Sequence, residues 1–256
     1  MDLVEWAGLA ATAFVAALLY AVSGFGFAVL ATPLFLLFVE PARAIQLVII
    51  LSTALSIVVV PGLWRAVAPG LLLRLALGSL AGLPLGVIAF RHADAVLVRG
   101  AVGATILVFA AVMAVSRRRG GRHWAPLAMS PGRDFAAGAI SGIATALVGM
   151  AGPPVLFYLL LTGAAPRTVR ATLLSFFSLS YAATLAAHAV TIGVPSPTLL
   201  AAAGLSPFAF LGAFAGRPLG DRLGAEAFAI LAIALLAVAG LYTIAAAGAA
   251  LVTRQQ

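Results

Sequence analysis

The sequence predicts an all-α polytopic membrane protein of two homologous halves, with about eight transmembrane segments and broken or re-entrant helices at 3–39 and 133–163. Three observations predict it. The chain is 64% hydrophobic and 9% charged, with a mean hydropathy of +1.17. Soluble domains are about 45–50% apolar and about 25% charged, so 256 residues of this composition lack the side chains to cover a water-facing surface. Apolar runs long enough to cross about 30 Å of hydrocarbon recur along the whole chain. Finally, one Gly/Pro pattern occurs at the same place in each half.

Taken in order, the apolar runs are 3–39, 43–62, 68–90, 95–115, 133–163, 169–191, 197–217 and 225–251. The chain opens Met1-Asp2-Leu3-Val4-Glu5-Trp6, without the basic stretch of a cleaved leader, so the first run is expected to stay as a transmembrane helix. Breakers separate the spans: Glu40-Pro41, Pro61-Gly62, Pro131-Gly132 and Pro195-Ser196-Pro197. One polar linker, 116–132, carries Arg117, Arg118, Arg119 and Arg122, and divides an N-terminal repeat (1–115) from a C-terminal repeat (133–256). Within the repeats, Gly78-Ser-Leu-Ala-Gly82-Leu-Pro84-Leu-Gly86 matches Gly212-Ala-Phe-Ala-Gly216-Arg-Pro218-Leu-Gly220 in every Gly and Pro. Upstream, Ser23-Gly24 before Thr32-Pro33 echoes Ser141-Gly142 before Pro153-Pro154, with a gap of a few residues. Internal repeats of this kind are common in secondary transporters.

The runs 3–39 and 133–163 exceed what one span needs, and each is interrupted. The first holds Ser23-Gly24-Phe25-Gly26, the second Gly149-Met150-Ala151-Gly152-Pro153-Pro154. Glycine weakens a helix, and proline removes a donor and collides with the preceding turn. Both runs are therefore expected to be broken, the alternative being a long tilted helix with a kink. If each crosses once, the arginines divide seven against eight between the two sides. If each turns back at its break, the halves are inverted. Eleven arginines (65, 74, 117, 118, 119, 122, 133, 167, 170, 217 and 222) then face four (43, 91, 99 and 254), as the positive-inside rule asks.

The formal net charge of +8 comes from 15 cationic residues, all arginine, lying between apolar runs. They do not form a basic face on a soluble scaffold, so no nucleic-acid partner is expected; the lipid bilayer is. With no cysteine, disulfides, thiolate metal sites and cysteine nucleophiles are excluded. His92, His123 and His188 are scattered, and no nucleophile–base constellation or metal-ligand spacing stands out, so neither an enzyme nor a metal or cofactor is expected.

A break inside the membrane frees backbone groups that lipid cannot satisfy, so it must face protein or a polar cavity. The half-helix that follows presents N–H groups and a partial positive charge, which suits an anion. Ionisable residues inside the runs are nearly absent. Asp94, Asp134, Asp221 and Glu226 lie near segment ends, where capping or dipole complementarity accounts for them. Arg74 and His188 also lie near segment ends and are expected to snorkel to the interface. Ser23, Thr32, Ser175 and Ser178 are possible hydroxyl donors, although each can bond back to its own helix. The expected substrate site is shaped by Ser23, Gly24, Gly26, Thr32, Pro33, Gly149, Gly152, Pro153 and Pro154, with Arg170 as its electrostatic contact.

At Ser23-Gly24-Phe25-Gly26-Phe27 through Ala31-Thr32-Pro33-Leu34, and again at Gly149-Met-Ala-Gly152-Pro153-Pro154, the chain resembles the sulfite exporter TauE/SafE family of membrane permeases. The stretch Arg170-Ala171-Thr172-Leu-Leu-Ser-Phe176-Phe177 is similar to the segment after the family's second motif. The resemblance implies transport of a small anion, with sulfite and organosulfur compounds as the associated class. The expectation is a secondary transporter, with the proton as a possible coupling ion. A passive anion channel and a non-transporting membrane scaffold stay open beside it. The lysine-free, Ala/Gly/Arg-rich composition points to a bacterial chain, and hence to the cytoplasmic membrane.

Overall fold

A computed structural model describes residues 2–23, 27–59, 66–118, 128–162, 166–220, 237–245 and 248. The described residues are all-α: α1 (Leu3–Ser23), α2 (Phe27–Phe35), α3 (Pro41–Val59), α4 (Pro69–His92), α5 (Ala95–Arg118), α6 (Pro131–Val148), α7 (Gly152–Leu161), α8 (Pro166–Thr191) and α9 (Ser196–Gly220). A tenth helix, α10, runs over 237–245. Proline opens α3, α4 and α6, where its missing N–H has no intrahelical partner to lose. Six of the described helices are long and apolar enough to span a bilayer: Leu3–Val22, Pro41–Val58, Pro69–His92, Ala95–Val115, Arg167–Thr191 and Ser196–Gly216. The run 225–251 lies mostly outside the described residues, as do Gly24, Gly26, Arg65, Arg119, Arg122, Asp221, Arg222, Glu226 and Arg254.

Each over-long run is two helices. In the second, Gly149 ends α6 in the left-handed region at φ 72° and ψ 16°, a conformation that only glycine adopts without strain. The Gly149 N–H donates to Thr145 O at 3.0 Å, the bond of an αL helix stop, and the Met150 N–H reaches Ala144 O at 3.5 Å. Gly152-Pro153-Pro154 then starts α7. The short helices α2 and α7 have 9 and 10 residues, a rise of about 14–15 Å or half a bilayer. Both turn back. Phe38, just beyond α2, packs over Gly8 near the start of α1. Late in α7, the Tyr158 hydroxyl donates to Asp134 in the first turn of α6.

The paired Gly motifs close two helix crossings between the halves. A Cβ on Gly78 or Gly82 of α4 would overlap the backbone carbonyls of Phe135 or Ala139 of α6; one on Gly212 or Gly216 of α9 would meet those of Phe14 or Leu18 of α1. Backbone-to-backbone contact of this kind lets helices associate through dispersion where lipid offers no hydrophobic drive. The registers rise together in both crossings, so α4 runs parallel to α6 and α9 parallel to α1. Arg43, at the start of α3, donates to Pro197 O at the start of α9 at 3.3 Å, so α3 and α9 begin at the same end. Gln46 of α3 donates to Gly193 O, just past α8, at 2.9 Å, which makes α3 and α8 antiparallel. Ser79 meets Ser180 and Phe90 meets His188, so α4, and α6 with it, runs parallel to α8; α1 and α3 therefore run one way and α6 and α8 the other, and the halves are inverted.

Three end-of-segment residues do not behave as the sequence suggests. Asp134 is fully buried, paired through Oδ2 with Arg74 Nε at 2.6 Å, and its other oxygen accepts from Tyr158. It is the centre of a knot between α4, α6 and α7, not merely a dipole complement. Arg74 is held by that pair instead of snorkelling. His188 is also fully buried: its Nε2 lies 3.2 Å from Ala146 O and its ring packs on Phe90. Asp134 lies on α6 at the Gly-mediated crossing with α4, and His188 lies on the face of α8 that packs on Phe90 of α4 and Ala146 of α6, which linear distance from a segment end does not reveal.

Candidate functional site

The two breaks meet around a small cavity. Its wall comes from the start of α2 (Phe27, Ala28, Val29), the start of α7 (Gly152), and α1, α3 and α8 through Tyr20, Ser52, Ser56, Phe177 and Tyr181. The volume is 20 Å³, room for about one water. The bundle is thus closed around it. Phe27, Ser52 and Ser56 in the first half stand at the same spacing as Gly152, Phe177 and Tyr181 in the second, so the two inverted halves present matching positions to one centre.

The chemistry of the wall is that of hydrogen-bond donors. Two helix N-termini face it, each carrying partial positive charge. They are not equal donors. Proline at 153 and 154 has no N–H, and the Ala151 N–H is bonded to the Tyr181 hydroxyl oxygen at 3.4 Å. The first turn of α7 therefore offers chiefly the Gly152 N–H, whereas Phe27, Ala28 and Val29 all keep theirs. Because Tyr181 accepts from Ala151, its own O–H is left to donate. The Ser52 hydroxyl adds one more donor on α3, while Ser56, on the same face, donates its hydrogen back to Ser52 O at 2.7 Å and leaves its oxygen to the cavity. Among the described residues no carboxylate lines the cavity. Among the described residues no cluster of three metal-ligating side chains occurs.

Of the residues the sequence singles out, Gly152 lines the cavity. Thr32 lies a turn beyond Ala28, fully buried, with no hydrogen-bond partner for its hydroxyl among the described residues. A Cβ on Gly149 would come within 3.6 Å of that hydroxyl, so the break in the second half sits against α2 of the first. Pro33 is buried inside α2, and Ser23 is the last residue of α1. Pro153 and Pro154 face elsewhere, lining an open apolar groove between α5, α6 and α7. Arg170 is exposed, outside the cavity wall, and donates to Ala21 O at 3.3 Å, beside Tyr20. Ser175 is buried, and Ser178 bonds back to Leu174 O at 3.0 Å.

A family model, Sulfite exporter TauE/SafE, matches residues 9–243. The chain belongs to the sulfite exporter TauE/SafE family. Neither the curated proteins nor the solved structures give a match. The match takes in both broken helices, both Gly-mediated crossings and every residue of the cavity wall, so this TauE/SafE-family chain is a multi-pass membrane protein of a transporter family.

Tyr20, Ser52, Ser56, Phe177 and Tyr181 were not legible as site residues from the sequence. They lie on uninterrupted spans, where Ser and Tyr read as packing. A usable signal was present: Ser52 and Ser56 stand four apart on one face of an otherwise apolar helix, and their spacing from Phe27 recurs in the second half.

Proposed function

We propose that the chain is a secondary carrier that moves a small anion, sulfite or an organosulfur compound, across the bacterial cytoplasmic membrane. The observation that carries the reading is the meeting of two half-helix N-termini at one closed cavity walled by hydroxyls and free of carboxylates. An oxyanion needs donors and positive potential, and this wall supplies both. The present volume admits no sulfite-sized anion, so binding requires α2 and α7 to move against α3 and α8. Inverted halves support such motion, because exchanging their conformations opens the cavity to one side and then the other.

In this reading 1–115 and 133–256 are the two repeats, 116–132 is the linker, and the arginine-rich side is cytoplasmic. Gly152, Thr32, Ser23, Gly24 and Gly26 form the anion site with Tyr181 and Ser52. Gly149 fixes the break, and Pro33, Pro153 and Pro154 shape the half-helices. Arg170 draws the anion toward the end of α1, with its positive charge beside Tyr20. The test is flux of sulfite and of sulfonates in liposomes containing the purified protein. Saturable uptake that accelerates when unlabelled anion is present on the far side supports the carrier. Flux that does not saturate makes it a channel, and no flux of any sulfur oxyanion removes the reading.

A further inference from the structure

The inverted halves give the fold an internal control. Gly212 sits over the Phe14 carbonyl as Gly78 sits over that of Phe135. In that register Arg74, Ser79 and Asp134 at the α4–α6 crossing correspond to Phe208, Ala213 and Ala13 at the α9–α1 crossing. By the spacing of the cavity wall, Ser180 corresponds to Leu55. At these matched positions the second crossing carries apolar side chains, so the geometry does not require polar ones there. The other holds a buried polar seam. Ser79 Oγ lies 3.0 Å from Ser180 Oγ, which lies 3.2 Å from Thr145 Oγ1, and all three are buried.

Two buried titratable residues lie along the same helix packing, one on either side of the seam. Asp134, in the first turn of α6, lies near one end of the bundle. His188, bonded to Ala146 directly after Thr145, lies toward the other. The rise along α6 from Asp134 to Ala146 is about 18 Å. Among the described residues these are the only fully buried Asp, Glu or His side chains. His188 Nδ1 is buried without a hydrogen-bond partner among the described residues, an arrangement that disfavours burial unless the nitrogen is used. The seam also touches the cavity wall: Ser141 Oγ donates to Ala151 O at 2.5 Å, and the Ala151 N–H bonds to Tyr181.

We infer that the proton path of this carrier runs through His188, its protonatable residue beside the α4–α6–α8 seam, a conclusion that rests on the anion-carrier reading above. His188 Nδ1 takes up one proton and releases the same proton when the halves exchange conformation, while the mutually bonded hydroxyls of Thr145, Ser180 and Ser79 keep the packing beside it polar. No bond to carbon forms or breaks. A proton moving with the anion offsets its charge, which a cavity without carboxylates otherwise carries alone into lipid. The charged and titratable groups on the elements packed around His188 are Arg74 at the start of α4 and Arg91 and His92 at its exposed end, Arg133 and Asp134 at the far end of α6, Arg43 on α3, and Arg167, Arg170 and Tyr181 on α8.

The experiment uses the full chain in liposomes with radiolabelled sulfite, comparing the unmodified protein, His188→Gln and Ser180→Ala. Two rates are read: exchange at equal pH on both sides, and accumulation against a gradient driven by a pH difference. Gln keeps a donor for Ala146 O and removes the protonatable nitrogen. The expected result is that His188→Gln exchanges like the unmodified protein while its pH-driven accumulation falls to that of protein-free vesicles, with Ser180→Ala weakened in the same sense. Accumulation by His188→Gln equal to the unmodified protein overturns the inference, and so does loss of exchange and accumulation together. Exchange without pH-driven accumulation in the unmodified protein overturns the proton path and leaves the carrier. Absence of both in the unmodified protein removes the carrier reading, and the inference with it.

Discussion

Replacing Gly82 by alanine tests whether the two helix crossings hold the halves together as described. A Cβ at Gly82 would overlap the Ala139 carbonyl, carbonyl carbon and Cα, all of them backbone atoms that no side-chain rotation can move aside. Helices α4 and α6 must separate, and overpacking of this kind costs about 1–3 kcal/mol. Separation also strains the Arg74–Asp134 pair in the same crossing, so the upper part of that range is expected. Gly100 provides the control. It too lies within a helix, α5, but a Cβ there meets nothing within 4 Å among the described residues. Gly100→Ala should therefore be neutral or stabilise by up to about 1 kcal/mol, from helix propensity alone. The difference of about 2–4 kcal/mol between the variants is readable by reversible unfolding in mixed micelles, followed by far-ultraviolet circular dichroism. Gly212→Ala at the sister crossing should behave like Gly82→Ala, since its Cβ meets the Phe14 carbonyl. Equal stability of Gly82→Ala and Gly100→Ala would refute the close crossing.

Gly149→Ala should destabilise by about 1–2 kcal/mol, because an L side chain is strained at φ 72°; the same unfolding measurement reads it, and an unchanged midpoint counts against the helix stop. Single cysteines at Ala42 and Arg118, in a chain with none of its own, should react with an impermeant maleimide from opposite sides of the membrane; reaction from one side contradicts the inverted arrangement. Tyr181→Phe should raise the apparent KM for sulfite by about 5–15-fold, the worth of one hydrogen bond of about 1–1.5 kcal/mol, with protein abundance unchanged; an unaltered KM takes Tyr181 out of the site. Arg170→Ala should reduce transport without lowering membrane abundance, and undiminished transport removes it as the electrostatic contact.

Much of this protein follows from local properties of the chain. A sequence with 64% hydrophobic residues has only lipid as a solvent, and apolar length fixes where spans lie. The breaks at 23–26 and 149–154 were legible because glycine and proline disrupt a helix wherever they occur, through backbone geometry that needs no neighbour. The Gly78–Gly86 and Gly212–Gly220 motifs likewise announced close packing, and the arginine distribution favoured turning back over crossing. The packing partner is another matter. That α4 meets α6 and α1 meets α9, each across the two halves, depends on contacts between residues far apart in sequence. The same is true of the burial of Asp134 and His188, which stand near segment ends and still face inward. Ser52, Ser56 and Tyr181 became site residues only because α3 and α8 cross where α2 and α7 begin. A single span shows that a side chain is apolar or polar. Whether it faces lipid, a neighbouring backbone or a cavity is a matter of helix rotation and register, and those are set by every helix packed around it.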